Sequence, residues 1–481
     1  MNHTPEALDA LRRDYDVVPF VRQLSADAIT PLSTFAALSP LAAEAFLFES
    51  VERGENLGRY SFVGFDPRRT LSFDRSTNDP VALVREELRP LRVYGEEQLP
   101  PFFGGAVGYF GHGVSGWVER IPDTRPDDLG IADAKLLFFD NVVVFDHVQQ
   151  RMFVIANVFT DDARTSAELA ADANARIERA LKALRSAAVD MIELPRDVEP
   201  AEFRSSFARA EFEQMIGEAR EEIVAGEIFQ IVLSQRWDAD YPTAEALTLY
   251  RALRSINPSP YMFLLRTTDV TLVGASPEML VRVGGGTAEM RPIAGTRPRG
   301  ATREEDMQLE SGLLEDPKER AEHLMLVDLG RNDVGRVSAS GSVSVSEFCH
   351  VERYSHVMHL VTNVAGRMRE DVLPIDVFLS CFPAGTLSGA PKIRAMQLID
   401  RFEKTRRGPY GGAIAYVGFS GNLDSCITIR TVVLANDKAY VQAGAGIVYD
   451  SDPSSEYVEC LNKSAAPKKA VSIAKALLRS R

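Results

Sequence analysis

Several short stretches of this chain gather residue types that could hold a small anion. In Arg291-Pro-Ile-Ala-Gly-Thr-Arg-Pro-Arg299, three arginine forks suited to carboxylates surround Gly295, where a ligand could approach the backbone, and Thr296, which adds a hydroxyl. The two prolines argue against an ordinary sheet interior, and a basic surface turn would have the same composition. In Phe382-Pro-Ala-Gly-Thr-Leu-Ser-Gly-Ala-Pro-Lys392, small residues before a helix leave backbone N–H groups free for an anion, although Ser388 could simply cap that helix. Arg407 to Gly412 and Val441 to Gly446 set glycines where backbone must come close to something, a turn or a ligand. Arg430, in an otherwise apolar run predicted as strand, needs an anionic partner.

Carboxylates come from two predicted helices. Asp316-Pro317 opens the first, with Glu319 at the third position of a capping box and Glu322 on the same face, where capping does not account for it. Pro453 opens the second, where Glu456 and Glu459 share a face and Glu459 can reach Lys463, as a solvated salt-bridge face also would. Two glutamate pairs suit a hard cation such as Mg²⁺; histidine and cysteine show no zinc spacing. The sum is a basic, donor-rich pocket with clustered carboxylates, fit for a small substrate carrying more than one carboxylate.

The elements that must position these groups are mixed. Residues 17–160 read mainly as strands, with a hairpin formed by Leu136 to Asp146 and Arg151 to Val158; residues 163–188 read as helix. The aperiodic stretch 189–205 is the boundary candidate, dividing an N-terminal region (1–190) from a region (205–481) in which strands and helices alternate and Ile427 to Leu434 pairs with Ala439 to Ala445. The expected class is α+β, with large antiparallel sheets packed as a sandwich, flanked by helices and intertwined between the two regions. With 481 residues and a net charge of −14, the chain is no candidate for nucleic acid or an anionic membrane. The four scattered cysteines, the absence of an apolar N-terminal core and the absence of a membrane-length apolar run fit a cytoplasmic protein.

Taken together, Pro292 to Gly300, Glu322 to Asp333, Phe382 to Pro391, Tyr410 to Gly412, Gln442 to Gly446 and Glu456 to Lys463 resemble the chorismate-utilising enzymes, densely from about residue 205 to 470. The resemblance implies that Glu319 is the acid for the departing C4 hydroxyl and that His359 serves the elimination, although a strand histidine beside Val357 and Val361 is ordinarily structural. It implies substrate contacts at Gly295, Thr296, Thr386, Tyr410, Arg430, Gly444, Ala445, Gly446 and Lys463. It also implies Mg²⁺ ligation by Glu322 and Glu459, with Glu456 close by. Within the family, Gln230 stands where the water-using members carry a lysine; an amide is no base. Ala294 stands where the members that aminate C4 carry a nucleophilic lysine. Both point to ammonia addition at C2 and release of pyruvate, the anthranilate-forming branch. The alternatives are aminodeoxychorismate synthase component I and a non-catalytic binder of chorismate or tryptophan; isochorismate synthase ranks behind them because of Gln230.

Phe48-Glu-Ser50 with Gly58 to Ser61, and Asn257 to Phe263, resemble the family's tryptophan-inhibition motif, with Phe48 departing from the commoner leucine. Glu49, Ser50, Pro260, Tyr261 and Met262 are the expected contacts; a turn and core residues would look the same. No cysteine lies in a glycine-flanked nucleophile turn, so use of glutamine implies a separate amidotransferase subunit and a hetero-oligomer.

Overall fold

A computed structural model describes residues 1, 3–50, 58–186, 189–195, 197–353 and 357–479. Two large sheets carry the fold, and the strand pairings in both are antiparallel. The first runs Val17–Ser25, Arg151–Phe159, Asn141–Asp146, Tyr60–Phe65, Ala45–Glu49, Tyr261–Arg266, Thr271–Ser276, Thr431–Ala435, Lys438–Ile447, Gln230–Asp240 and Gly389–Ala390, with Arg204–Ser205 paired on the Gln230 strand. The second runs Ile293–Pro298, Val357–Arg367, Thr287–Met290, Met279–Gly284, Leu423–Ile427, Ala413–Gly418, Gly105–Phe110, Ala134–Phe139 and Arg69–Phe73, with Ser344–Arg353 on the Val357 strand. Early and late strands are neighbours in both: Ala45–Glu49 pairs with Tyr261–Arg266, and Gly105–Phe110 with Ala413–Gly418.

The sheets face each other across a largely apolar layer. Phe46, Val144, Phe263 and Leu272 of the first meet Val107, Tyr109, Ile414 and Tyr416 of the second. Helices cover the outer faces: Ser166–Arg185, Ala246–Ile256 and the C-terminal part of Pro453–Arg479 over the first sheet, Pro317–Gly335 and Pro374–Cys381 over the second. Strands buried on both faces read as continuous apolar runs, which explains why alternation is weak along much of the chain.

Two predicted hairpin arms are each two strands in different sheets. Leu136 to Asp146 divides at Asp140, giving Ala134–Phe139 to the second sheet and Asn141–Asp146 to the first. Ile427 to Leu434 divides at Thr428 to Arg430, giving Leu423–Ile427 to the second and Thr431–Ala435 to the first. Arg430 is therefore not strand-interior: it sits at the crossover with φ 52°. Both-face burial hides such a crossing, because residues on either side of it are equally apolar. A further crossover runs through Ser276-Pro-Glu-Met279, between Thr271–Ser276 and Met279–Gly284. The proline-rich Ile293–Pro298 is a strand after all, but an edge strand, and its register slips at Gly295.

The close approach of strands makes Gly105 a sensitive position. Its φ is 139°, and a Cβ there would lie 2.1 Å from the Val417 carbonyl oxygen of the neighbouring strand. Gly105→Ala should cost about 1–3 kcal/mol or more, read as a lowered urea midpoint; an unchanged midpoint would mean this pairing does not hold.

Candidate active site

The bulged edge strand and its neighbour build one wall. Gly295 takes φ 63°, and Thr296 pairs with His359 across the ladder. His359 Nδ1 lies 2.9 Å from the Gly295 carbonyl oxygen and 3.1 Å from Thr296 Oγ1. Because a carbonyl only accepts, Nδ1 carries the proton of the neutral ring, and Nε2 is its basic nitrogen. Burial lowers the His359 pKa below its ordinary value, with the Gly295 carbonyl and Glu352 opposing the shift.

The helix Pro317–Gly335 starts beside this wall. Asp316 caps it by accepting from the Lys318 and Glu319 N–H groups, as expected. Glu319 does not complete a capping box. Its Oε1 accepts from Arg297 Nη1 at 3.0 Å, and a Cβ on Gly295 would come within 3.1 Å of its Oε2. Arg297 also grips Asp316 at 2.8 Å, Arg299 pairs with Asp306, and Arg291 pairs with Glu352. The three arginines of the stretch thus brace the loop, and what it offers a ligand is backbone and Thr296.

A second group of the expected substrate contacts lies on Lys438–Ile447, beside Gln230–Asp240. A Cβ on Gly444 would lie 3.0 Å from the Tyr410 hydroxyl, and one on Gly446 would lie 2.9 Å from Gln230 Nε2. These glycines therefore let two polar side chains approach the strand backbone where a Cβ would collide with them. Ala445 points the other way, into a cluster with Leu233, Ile447 and Cys460, so only its backbone can serve a ligand. Ser388 caps no helix: its hydroxyl donates to the Ala384 carbonyl, and the helix Lys392–Phe402 begins later, after Pro391.

The floor is formed by the two crossovers. Thr386 Oγ1 donates to Glu278 Oε2 at 3.2 Å, and Arg430 Nη1 donates to the Lys463 carbonyl. Burial raises the Glu278 pKa above its ordinary value, against the opposing pull of Thr386, Lys463 and Arg430. The Arg430 pKa is lowered by burial, with Glu278, Tyr410 and Glu459 opposing.

Carboxylates crowd the remaining side. Burial and then the charge of Glu319 raise the Glu322 pKa, with Glu459 adding to the rise. Glu456 is raised by burial and by Glu459, partly offset by Ser451. Lys463 Nζ lies 2.6 Å from Glu459 Oε1. Among the described residues no three ligating side chains already converge, but Glu322 and Glu456, whose pKa values burial and neighbouring carboxylates raise, belong to a donor set that a hard divalent cation relieves.

A second cavity, of about 350 Å³, lies between the sheets. Glu49, Ser50, Pro260, Tyr261 and Met262 all line it, so the two sequence-distant parts of the motif meet. Ser50 Oγ is buried there with no hydrogen-bond partner among the described residues, while Glu49 is held by the Tyr250 hydroxyl and Arg254. Tyr261 donates to Asp424, which Arg282 also grips, and all three border the cavity.

A family model of chorismate binding enzymes matches residues 43–469. The chain belongs to the chorismate-binding enzymes. Similar proteins include anthranilate synthase component 1 of Acetivibrio thermocellus, 45% identical over 97% of this chain and 98% of that one. That of Thermus thermophilus is also 45% identical, over 95% and 98%. Anthranilate synthase component I from Streptococcus pneumoniae TIGR4 superposes with a TM-score of 0.76 at 36% identity, covering 87% of this chain and 93% of that one. The menaquinone-specific isochorismate synthase of Escherichia coli shares the fold, with a TM-score of 0.71 at 19% identity, covering 97% and 99%.

In this chorismate-binding enzyme, one candidate-site residue missed from sequence is Glu278. The signal was present in Ser276-Pro-Glu278, a carboxylate behind a proline at the end of an apolar run, but nothing local marks that run as leaving one sheet for the other. Also missed were Glu403 and Arg407, an i,i+4 pair whose burial no periodicity reveals.

A lowered pKa keeps His359 in its basic form to lower pH. A rate that needs neutral His359 should stay flat as pH falls through the ordinary histidine value of about 6.5 and decline only below it. His359→Gln should remove that acid limb together with roughly 10²–10⁴-fold of the rate; an unchanged profile would exclude the imidazole from the chemistry.

Proposed function

We propose that the protein is an anthranilate synthase component I, which converts chorismate and ammonia to anthranilate and pyruvate. The observation carrying this reading is the Gln230 amide against Gly446: the wall holds an amide where activation of water would call for a base. Ala294, buried beside Gly295, offers no nucleophile for the C4-aminating route. The names of the similar proteins support the same choice.

Substrate carboxylates are taken by the Gly295-Thr296 and Gly444 to Gly446 backbones, by Thr386, Arg430 and Lys463, and by the Tyr410 hydroxyl. Glu322 and Glu459, with Glu456, hold Mg²⁺, which when bound neutralises the ring carboxylate. Ammonia adds at C2 while the C4 hydroxyl departs as water, which requires a proton donor. Glu319 lies over Gly295 but is engaged by Arg297. Glu278, whose pKa burial raises, is the better proton reservoir, so Glu319 orients the substrate and shares the acid role. In the second step His359 Nε2 takes the C2 proton, the C3–O bond breaks, and the departing enolate takes up a proton on its methylene carbon to become pyruvate.

Purified chain with chorismate, Mg²⁺ and ammonium should give fluorescent anthranilate without an added lyase. A non-aromatic 4-amino product would assign it instead to the C4-aminating branch. Glu278→Gln should lower kcat by about 10²–10⁴-fold, more than Glu319→Gln does; the reverse order would return the acid role to Glu319.

The inter-sheet cavity takes tryptophan as a feedback inhibitor. Its volume, its aromatic lining of Phe48, Tyr60, Tyr261 and Tyr416, and a Ser50 hydroxyl with no partner among the described residues support this. Tryptophan should suppress anthranilate formation in the parent protein, and Ser50→Phe should abolish the suppression while sparing the uninhibited rate; insensitivity of the parent would end this reading.

A further inference from the structure

A small chamber of about 10 Å³ lies between the crossover at Thr428 and the strand Lys438–Ile447, with Thr428, Gln442, Arg407 and Tyr410 in its lining. Thr428 Oγ1 and Gln442 Oε1 are both buried, and neither has a hydrogen-bond partner among the described residues. Leaving a buried hydroxyl or amide oxygen unpaired is costly, and such groups in native proteins find partners. The orientation of the Gln442 amide follows from its neighbours. Ser234 gives its one hydroxyl proton to Glu403 Oε1 at 2.8 Å, so it can only accept from Gln442 Nε2, which lies 2.9 Å from its Oγ. A flipped amide would set one acceptor against another. The Gln442 carbonyl oxygen is thereby committed as an acceptor that needs a donor. Thr428 is tied to the other side. Its N–H donates to the Gly412 carbonyl at 2.9 Å, and its carbonyl accepts from the Gly411 N–H at 3.1 Å. It is thus fixed to the turn that carries Tyr410. Gln442 shares a strand face with Gly444, where a Cβ would lie 3.0 Å from the Tyr410 hydroxyl.

We propose that one bound water molecule joins Thr428 Oγ1 to Gln442 Oε1, and that these two side chains are positioning residues for Tyr410. Water is the ligand the chamber admits: its volume is about what one water needs, and two polar groups border it. The water takes the Thr428 hydroxyl proton and donates to Gln442 Oε1. Gln442 then donates to Ser234, Ser234 to Glu403, and Arg407 to Glu403 at 2.6 Å. Arg407 lies at the start of the turn that Thr428 clamps at its end, so the chain of hydrogen bonds closes on itself through that turn. A water-mediated link of this kind is nearly as favourable as a direct hydrogen bond. What it fixes is the spacing between the Tyr410 hydroxyl and Gly444. The consequence for substrate binding rests on the anthranilate synthase reading; the water itself does not.

The test combines a high-resolution crystal structure of the full chain with assays on chorismate, Mg²⁺ and ammonium. One water should lie about 2.7–3.2 Å from both Thr428 Oγ1 and Gln442 Oε1. It should be lost from Thr428→Val, which keeps the side-chain shape without the hydroxyl. That variant should raise KM for chorismate roughly 3- to 10-fold and hold kcat within about twofold, and Thr428→Ser should restore the parent KM. In a Gln442→Met background, Thr428→Val should add nothing further, because the water has already lost its acceptor. A direct bond between the two side chains, or no water between them, would overturn the proposal. So would independent effects of the two substitutions on KM. Lowered stability of Thr428→Val with an unchanged KM would make Thr428 a purely structural residue and end the positioning claim. If Thr428→Val does not fold, Gln442→Met decides by the same two readings, the water and KM. A parent chain that forms no anthranilate from ammonium would refute the functional reading, while the crystal structure would still decide the water site.

Discussion

The candidate active site depends on one buried ion pair, Glu403 with Arg407. Their side chains are 4% and 2% exposed. Arg407 donates to both Glu403 oxygens, to the Val232 carbonyl and to the Leu387 carbonyl; Glu403 also accepts from the Ser234 N–H and hydroxyl. One interaction thus fixes the strand that carries Gln230 to the loop that carries Thr386, with the guanidinium 5.6 Å from the Tyr410 ring centroid. A buried pair of this kind adds little net stability, yet removal of one partner costs about 3–5 kcal/mol, because the other charge remains unpaired. Its contribution is geometric: three segments distant in sequence can reach the substrate only in the arrangement the pair imposes.

The two crossovers add a second constraint. Glu278 and Arg430 lie where the chain passes between sheets, and the passages clasp each other. The Ile427 N–H donates to the Glu278 carbonyl, the Ser276 hydroxyl to the Ile427 carbonyl, and the Ala275 N–H to the Arg430 carbonyl. The same strands continue to Arg282 and Asp424 at the inter-sheet cavity. The proposed tryptophan site and the site floor are therefore opposite ends of one pair of strands.

Most of the candidate site could be assembled from sequence because its residues sit in segments whose composition ordinary packing does not explain, such as a glycine-threonine pair between prolines or a second glutamate beyond any capping role. What was not legible was long-range. Strands apolar on both faces conceal which sheet they join, so Arg430 read as strand-interior and Glu278 went unnoticed. Ala445 sits between two glycines against which Tyr410 and Gln230 pack, yet its own methyl group faces the core, because strand alternation assigns neighbours to opposite faces. The arginines around Gly295 looked like the ligand-binding part of that segment; the nearby carboxylates Asp316, Glu319, Asp306 and Glu352 take them up.

The account's central claim is that the Gly295-Thr296 bulge and the Gly444 to Gly446 strand are two walls of one chorismate site above Glu278 and Arg430. A crystal structure of the His359→Gln variant with chorismate and Mg²⁺ tests it most directly. The account predicts the ring between those walls, its carboxylates on their backbone N–H groups and the ion on Glu322 and Glu459. Chorismate bound in the inter-sheet cavity, or touching only one wall, would contradict it.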